Sequence, residues 1–267
     1  MTSFSIILSF IFGAIVGSFL NVVSLRFNTG VTLGGRSKCM SCGTGLTWKE
    51  LVPLFSFAFQ KGSCKKCKSK ISWQYPLVEF IAGIIFVLIF IVFPPISYEA
   101  GLQTLLYVVM ACLLLVISVY DIRHKIIPDQ FAYAFAALAL VGLFVGGASW
   151  WHVPSYWALI AGPLLAIPFA FLWLVSRGRW MGFGDAKLML GIGWVLGISA
   201  GINALILSFW IAAVVSVVWL LIMYKKFKPK TEVPFGPYLI LGMYLVLLFN
   251  IQVLDVAILK EIIFSYL

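Results

Sequence analysis

LQTLLYVVMACLLLVISVYD, residues 102–121, is an almost unbroken apolar run that closes on a single carboxylate, Asp121. Twenty residues of α-helix rise about 30 Å, the thickness of a bilayer's hydrocarbon core. A basic turn follows, Arg123-His124-Lys125, then Ile126-Ile127-Pro128-Asp129. The run therefore reads as a membrane-crossing helix that ends at an interface. Desolvating a carboxylate at such a place costs about 3 kcal/mol or more, so Asp121 needs a partner or a task.

The rest of the chain repeats this pattern. Of its 267 residues 63% are hydrophobic and only 10% charged, which excludes an ordinary soluble domain. The apolar runs predict an all-α polytopic membrane protein with about eight transmembrane helices and both termini outside. They cover roughly 4–25, 75–93, 102–121, a fourth from Asp129, 157–175, 186–196, 204–224 and 238–248. Residues 199–201 read as a turn before the seventh helix, and Pro163 and Pro168 as kinks in the fifth. Trp150 and Trp151 fit an interfacial aromatic belt. The first run lacks a basic start or a clean cleavage site and reads as a retained helix, and residues 252–267 as an interfacial helix. No internal repeat is evident.

A net charge of +10 suggests nucleic acid until its distribution is considered. Every lysine and arginine except Lys260 falls in residues 26–70, at 123–125, at 177–187 or at 225–230. These are alternate loops, and the pattern is the positive-inside signature of cytoplasmic loops. The expected partner of the charge is the membrane interface, with no nucleic acid.

The first such loop, residues 26–74, is the one sizeable polar segment. It carries Cys39-x2-Cys42 and Cys64-x2-Cys67, with 21 residues between the pairs. Two knuckles at this spacing predict a tetrathiolate zinc site of zinc-ribbon type, because thiolates need only a tetrahedral cage around the metal. A small loop without its own core gains folding energy from the ion. Disulfides are the competing reading, disfavoured in a reducing compartment. Cys112 lies within an apolar helix and reads as packing.

A second carboxylate interrupts the oil at residues 181–187, Met-Gly-Phe-Gly-Asp-Ala-Lys. Gly182 and Gly184 let the backbone approach another element closely. On the expected topology Asp121 and Asp185 lie at the same cytoplasmic boundary. Two carboxylates that meet there cannot both ionise comfortably, so they share a proton and can activate a water against a peptide carbonyl. This is aspartyl proteolysis. Spacing alone leaves open that both are helix caps or partners of Arg123 and Lys187. Asp129 reads as a cap or supporting group for the next helix, since Pro128 precedes it. Asn21, near the end of the first helix, and Glu79, one turn into the second, are each either pairing groups or site residues.

At these residues the chain resembles the type IV prepilin peptidases, also called leader peptidase/N-methyltransferases, of the membrane GxGD aspartyl protease class. The resemblance is carried by residues 17–23 (Gly-Ser-Phe-Leu-Asn-Val-Val), the Cys pairs, 75–79 (Tyr-Pro-Leu-Val-Glu), 121–129, 182–188 and 234–237 (Pro-Phe-Gly-Pro). It implies a catalytic pair Asp121 and Asp185, supported by Gly182, Gly184, Lys187, Asp129, Pro234 and Gly236. It implies substrates that are prepilins or pseudopilins with a basic leader, cut after a glycine at the cytoplasmic face of the bacterial cell membrane. It further implies N-methylation of the new terminus from S-adenosyl-L-methionine, associated with residues 1–98 and with Asn21 and Glu79, beside a peptidase domain at 99–267. An arginine often precedes the Tyr-Pro-Leu-Val-Glu stretch in that family, where Gln74 stands here. Two other classes fit the composition. A proton-coupled transporter would use Glu79, Asp121 and Asp185 as a relay, and needs them near helix centres. A scaffold displaying a zinc ribbon gives no reason for glycines around Asp185.

Overall fold

A computed structural model describes residues 3–145, 152–222 and 233–254. The tryptophans at 150 and 151, the lysines at 225–230 and most of the expected interfacial helix lie outside the described residues. The helices are α1 Ser3–Arg26, α2 Phe55–Phe59, α3 Gln74–Val92, α4 Tyr98–His124, α5 Asp129–Gly142, α6 Tyr156–Ser176, α7 Phe183–Ile222 and α8 Gly236–Phe249. Among the described residues there is no β-sheet, only two isolated bridges in the cysteine loop.

Among the described residues, α1, α3, α4, α6 and α7 are long and apolar enough to cross a membrane. α5 and α8, with 14 residues each, rise about 21 Å and fall short of a full crossing. The expected count of about eight spans is thus approximate. Outward faces carry exposed Ile7, Ile15, Leu174 and Leu221, as surfaces solvated by lipid do. With no hydrophobic drive between helices in lipid, close packing must come from small residues. α1 meets α3 through Gly13 and Gly17, and a Cβ on Gly17 would stand 2.7 Å from that of Ala82. α4 is the hub, in contact with α1, α3, α5 and α8, while α7 packs against α5, α6 and α8.

One local expectation is corrected. The turn expected at residues 199–201 is not there: those residues are helical, and α7 breaks at Gly197 instead, where φ is 77° and ψ −179°. Only glycine reaches that conformation without strain. α6 passes through Pro163 and Pro168 without interruption. Beyond α8, the Asn203 amide holds the chain: its Oδ1 accepts the N–H groups of Val253 and Leu254, each at 2.7 Å. Its Nδ2 donates to the carbonyls of Ser199 and Leu254 at 3.0 Å.

Candidate active site and metal centre

Asp121 lies in the last turn of α4, where exposed carbonyls disfavour an anion. Compensation comes from another helix. The Gly236 N–H, the first donor of α8, reaches Asp121 Oδ2 at 3.0 Å, and such N-terminal donors have no intrahelical partner. Asp185 sits in the first turn of α7, at the helix end that suits a carboxylate, and its N–H donates to the Gly182 carbonyl at 3.3 Å. Both side chains are buried. Ile127 is the wedge that sets the three elements. A Cβ on Gly184 would stand 2.7 Å from the Cβ of Ile127, and one on Gly236 would stand 2.7 Å from Asp121 Oδ2 and 3.2 Å from Ile127 Cδ1. Glycine is therefore required twice by close approach.

Asp129 is not the cap of its helix. Pro128 occupies the N-cap position and Asp129 the first helical turn, where its side chain makes no capping bond. Instead its Oδ1 meets Lys187 Nζ at 2.6 Å, joining α5 to α7 two residues beyond Asp185. The ammonium lies 4.9 Å from the Tyr133 ring centre and 5.0 Å from that of Phe183, a cation–π setting. Pro234 is half-buried just ahead of α8. Phe235, beside it, packs its ring on Phe209 at 4.9 Å.

In the loop, the four thiols of Cys39, Cys42, Cys64 and Cys67 converge, all sulfurs within 4.8 Å of one another. Cys39 and Cys67 sulfurs are 3.8 Å apart. Four thiolates at about 2.3 Å from a tetrahedral zinc stand about 3.8 Å apart, so the residues fit the ion. The knuckles are repeats that the sequence reading missed. The Cys39 N–H donates to the Thr44 carbonyl and Gly43 N–H to that of Cys39. Twenty-five positions later, Cys64 pairs with Ser69 and Lys68 with Cys64 in the same way. The bridges Lys38–Gly45 and Ser63–Lys70 repeat with them. Backbone N–H groups of Cys42 and Ser41 hold the Cys39 thiol down to about 6, favouring the thiolate that a metal needs.

The family model for the bacterial peptidase A24 N-terminal domain matches residues 11–93. That for the type IV leader peptidase family matches residues 108–217. Together they account for well over half of the chain. The chain belongs to the type IV leader peptidase family. Prepilin leader peptidase/N-methyltransferase of Bacillus subtilis (strain 168) is 29% identical over 92% of this chain and 95% of the relative. The protein of the same name from Xanthomonas campestris pv. campestris is 28% identical over 91% of each. A type 4 prepilin-like proteins leader peptide-processing enzyme from Escherichia coli O78:H11 is 28% identical over 88% of this chain and 91% of the relative. No solved structure matches.

In this leader-peptidase family member, Asn21 lies near the C-terminal end of α1 and Glu79 near the start of α3. Asn21 is fully buried; its Nδ2 donates to the Tyr75 carbonyl at 3.2 Å, and its Oδ1 accepts from Gln74 at 3.4 Å. Glu79 accepts the Leu54 N–H at 2.7 Å and a bond from the Ser18 hydroxyl. Leu54 has φ of 62°, so a buried carboxylate secures a strained turn of the loop. Both groups are engaged within the protein. Sequence reasoning also overlooked Phe27, whose ring meets Tyr120 at 5.6 Å and Phe131 at 4.7 Å, tying the end of α1 to the peptidase helices. As ordinary apolar residues, Phe27 and Ile127 carry no chemical signal in a sequence this apolar.

Proposed function

We propose that this protein is a membrane aspartyl endopeptidase that cleaves the leader from prepilin-like substrates and then methylates the new amino terminus. The observation that supports the reading is that Ile127 packs against both Gly184, the neighbour of Asp185, and Gly236, whose N–H donates to Asp121, so the two buried carboxylates flank one wedge at the ends of α4 and α7. Two carboxylates so placed share one proton. The ionised member takes a proton from water while the protonated one donates to the scissile carbonyl, and no covalent intermediate forms. Gly182, Gly184 and Gly236 leave room for an extended backbone, and Lys187, Asp129 and Pro234 hold the flanking turns. Both carboxylates sit at helix ends, which suits a bond at the membrane boundary and disfavours a proton relay through helix centres. A substrate with a cytoplasmic leader and a membrane-crossing stem presents its bond at that depth, which orients the loop and the site toward the cytoplasm.

Zinc at Cys39, Cys42, Cys64 and Cys67 is structural in this reading, with no open position for substrate. When bound, S-adenosyl-L-methionine supplies the methyl group.

The decisive experiment incubates purified enzyme in detergent with a prepilin-like substrate and S-adenosyl-L-methionine and reads the product by mass spectrometry. Wild type is expected to release the leader and methylate the remainder. Asp121→Asn and Asp185→Asn are expected to lose cleavage by at least about a thousandfold while remaining folded. Cleavage surviving in either variant would remove the pair from catalysis.

A further inference from the structure

The carboxylates of the described residues divide unequally. Glu79, Asp121 and Asp185 are buried. Glu50 is consumed by the N–H and hydroxyl of Thr47, both at 2.8 Å, which hold its carboxyl below the usual range. Glu99 lies in the first turn of α4, at the far end of the helix from Asp121. Asp129 alone among them is both open and beside the catalytic pair. Its side chain is 63% exposed, whereas that of Lys187 is 10% exposed. The ion pair is lopsided: the cation is sheathed between two rings and one carboxylate oxygen, and the other oxygen, Oδ2, has no partner among the described residues. An ionised carboxylate accepts from two donors at once, so the bond to Lys187 leaves it able to take a second cation.

The surroundings give that capacity a meaning. The chain is strongly basic, and Arg123 and Lys125 are exposed at the same rim. Among the described charges at this rim, Arg123 and Lys125 repel an approaching cationic peptide and the open Asp129 carboxylate attracts it. We propose that Asp129 is a specificity-determining residue that receives a lysine or arginine side chain of the leader, with Lys187 as the positioning residue that holds the carboxylate in place. The inference rests on the leader-peptidase reading given above. Because Asp129 leads α5 and Lys187 follows Asp185 by two residues, a cation docked there is held at a set distance from the catalytic pair. The contact therefore selects the register of the cut as well as the substrate.

The test compares kcat/KM of the full-length enzyme in detergent, at low salt, for two prepilin substrates. Their leaders carry at one position either lysine or glutamine. Half-exposed ion pairs contribute up to about 1 kcal/mol, so wild type is expected to favour lysine about 3- to 5-fold. That ratio is expected to fall to about one in Asp129→Asn and to persist in Asp129→Glu. Asp129→Lys is expected to turn the preference toward a glutamate leader. A ratio unchanged in Asp129→Asn overturns the proposal. Equal cleavage of both substrates by wild type also overturns it and leaves the peptidase reading intact, whereas cleavage of neither removes both. Should Asp129→Asn prove inactive, a photo-reactive residue next to the leader lysine is bound to the Asp121→Asn enzyme. Crosslinks to residues 129–133 support the proposal, and crosslinks confined to residues 26–74 overturn it.

Discussion

Gly236 illustrates how a residue with no side chain governs one with a charge. Its N–H satisfies Asp121, and a methyl group in its place would stand 2.7 Å from the oxygen it serves. Gly236→Ala is expected to displace the Asp121 carboxylate and cut kcat/KM on the order of 100-fold, the cost of misplacing a catalytic group by a fraction of an ångström to an ångström. The control is Gly142→Ala at the end of α5, where nothing lies within 4 Å. It is expected to leave activity unchanged and shift the melting temperature by a few degrees at most, upward if anything. Equal losses in both variants would mean that Gly236 acts through general stability. At this scale the sequence was readable where chemistry is rare. Asp121 and Asp185 stand out because a carboxylate in an apolar run demands an explanation. Of the two readings of Asp129, the cap does not hold, because Pro128 occupies that position, and the pairing with Lys187 fits the supporting one. Ile127 was invisible: an isoleucine among isoleucines gives no hint that it sets the spacing of two active-site turns.

Between elements, the same residue type does opposite work, which limits what a sequence can tell. α7 contains Gly191, Gly193, Gly197 and Gly201 within eleven positions. Gly191 receives Phe135 of α5, Gly193 the backbone of α6 at Ala161, and Gly201 the side chain of Leu165. Those three are contact surfaces. Gly197 has nothing within 4 Å of a built Cβ but holds φ of 77°, so it is the hinge. Helix existence and approximate bounds followed from hydrophobic runs; the location of the break did not, because packing and hinge glycines are identical in one dimension. Gly197→Ala is accordingly expected to lower stability by about 1–3 kcal/mol through backbone strain alone, read as a drop in detergent melting temperature. A clash at Gly17 acts differently. Gly17→Val is expected to separate α1 from α3 and release the loop that Glu79 holds at Leu54, making residues 26–74 more sensitive to protease. If Gly17→Val leaves proteolysis unchanged, the loop is held by something other than this helix pair.

Across the whole molecule, two bodies of work share one hub. α4 contacts α1 and α3, and also α5 and α8, which in turn pack on α7. Among the described residues, Asp121 is bonded by Gly236 of α8 and Asp185 bonds Gly182 just ahead of α7, and neither takes a hydrogen bond from the cysteine loop. The loop in turn is held by its four thiols, by Glu79 and by Phe27. Loss of the metal should therefore not act on the peptidase directly. Zinc binding and loop folding are one equilibrium in so small a segment, so removing the ion unfolds what the ion assembled. Chelation, or Cys39→Ser or Cys64→Ser, is expected to take the metal content from about one zinc per chain toward zero. The loop is expected to become protease-sensitive in parallel. Leader cleavage should persist within a few-fold, because Asp121 and Asp185 keep their partners, whereas methylation of the cleaved product should fall sharply if the amino-terminal part carries it. Mass spectrometry of one reaction reads both activities, and elemental analysis reads the metal. Metal content unchanged in both cysteine variants would end the zinc assignment. Cleavage and methylation falling together, at equal zinc loss, would show that the loop supports the carboxylate pair after all, through the Phe27 contact with Tyr120 beside Asp121.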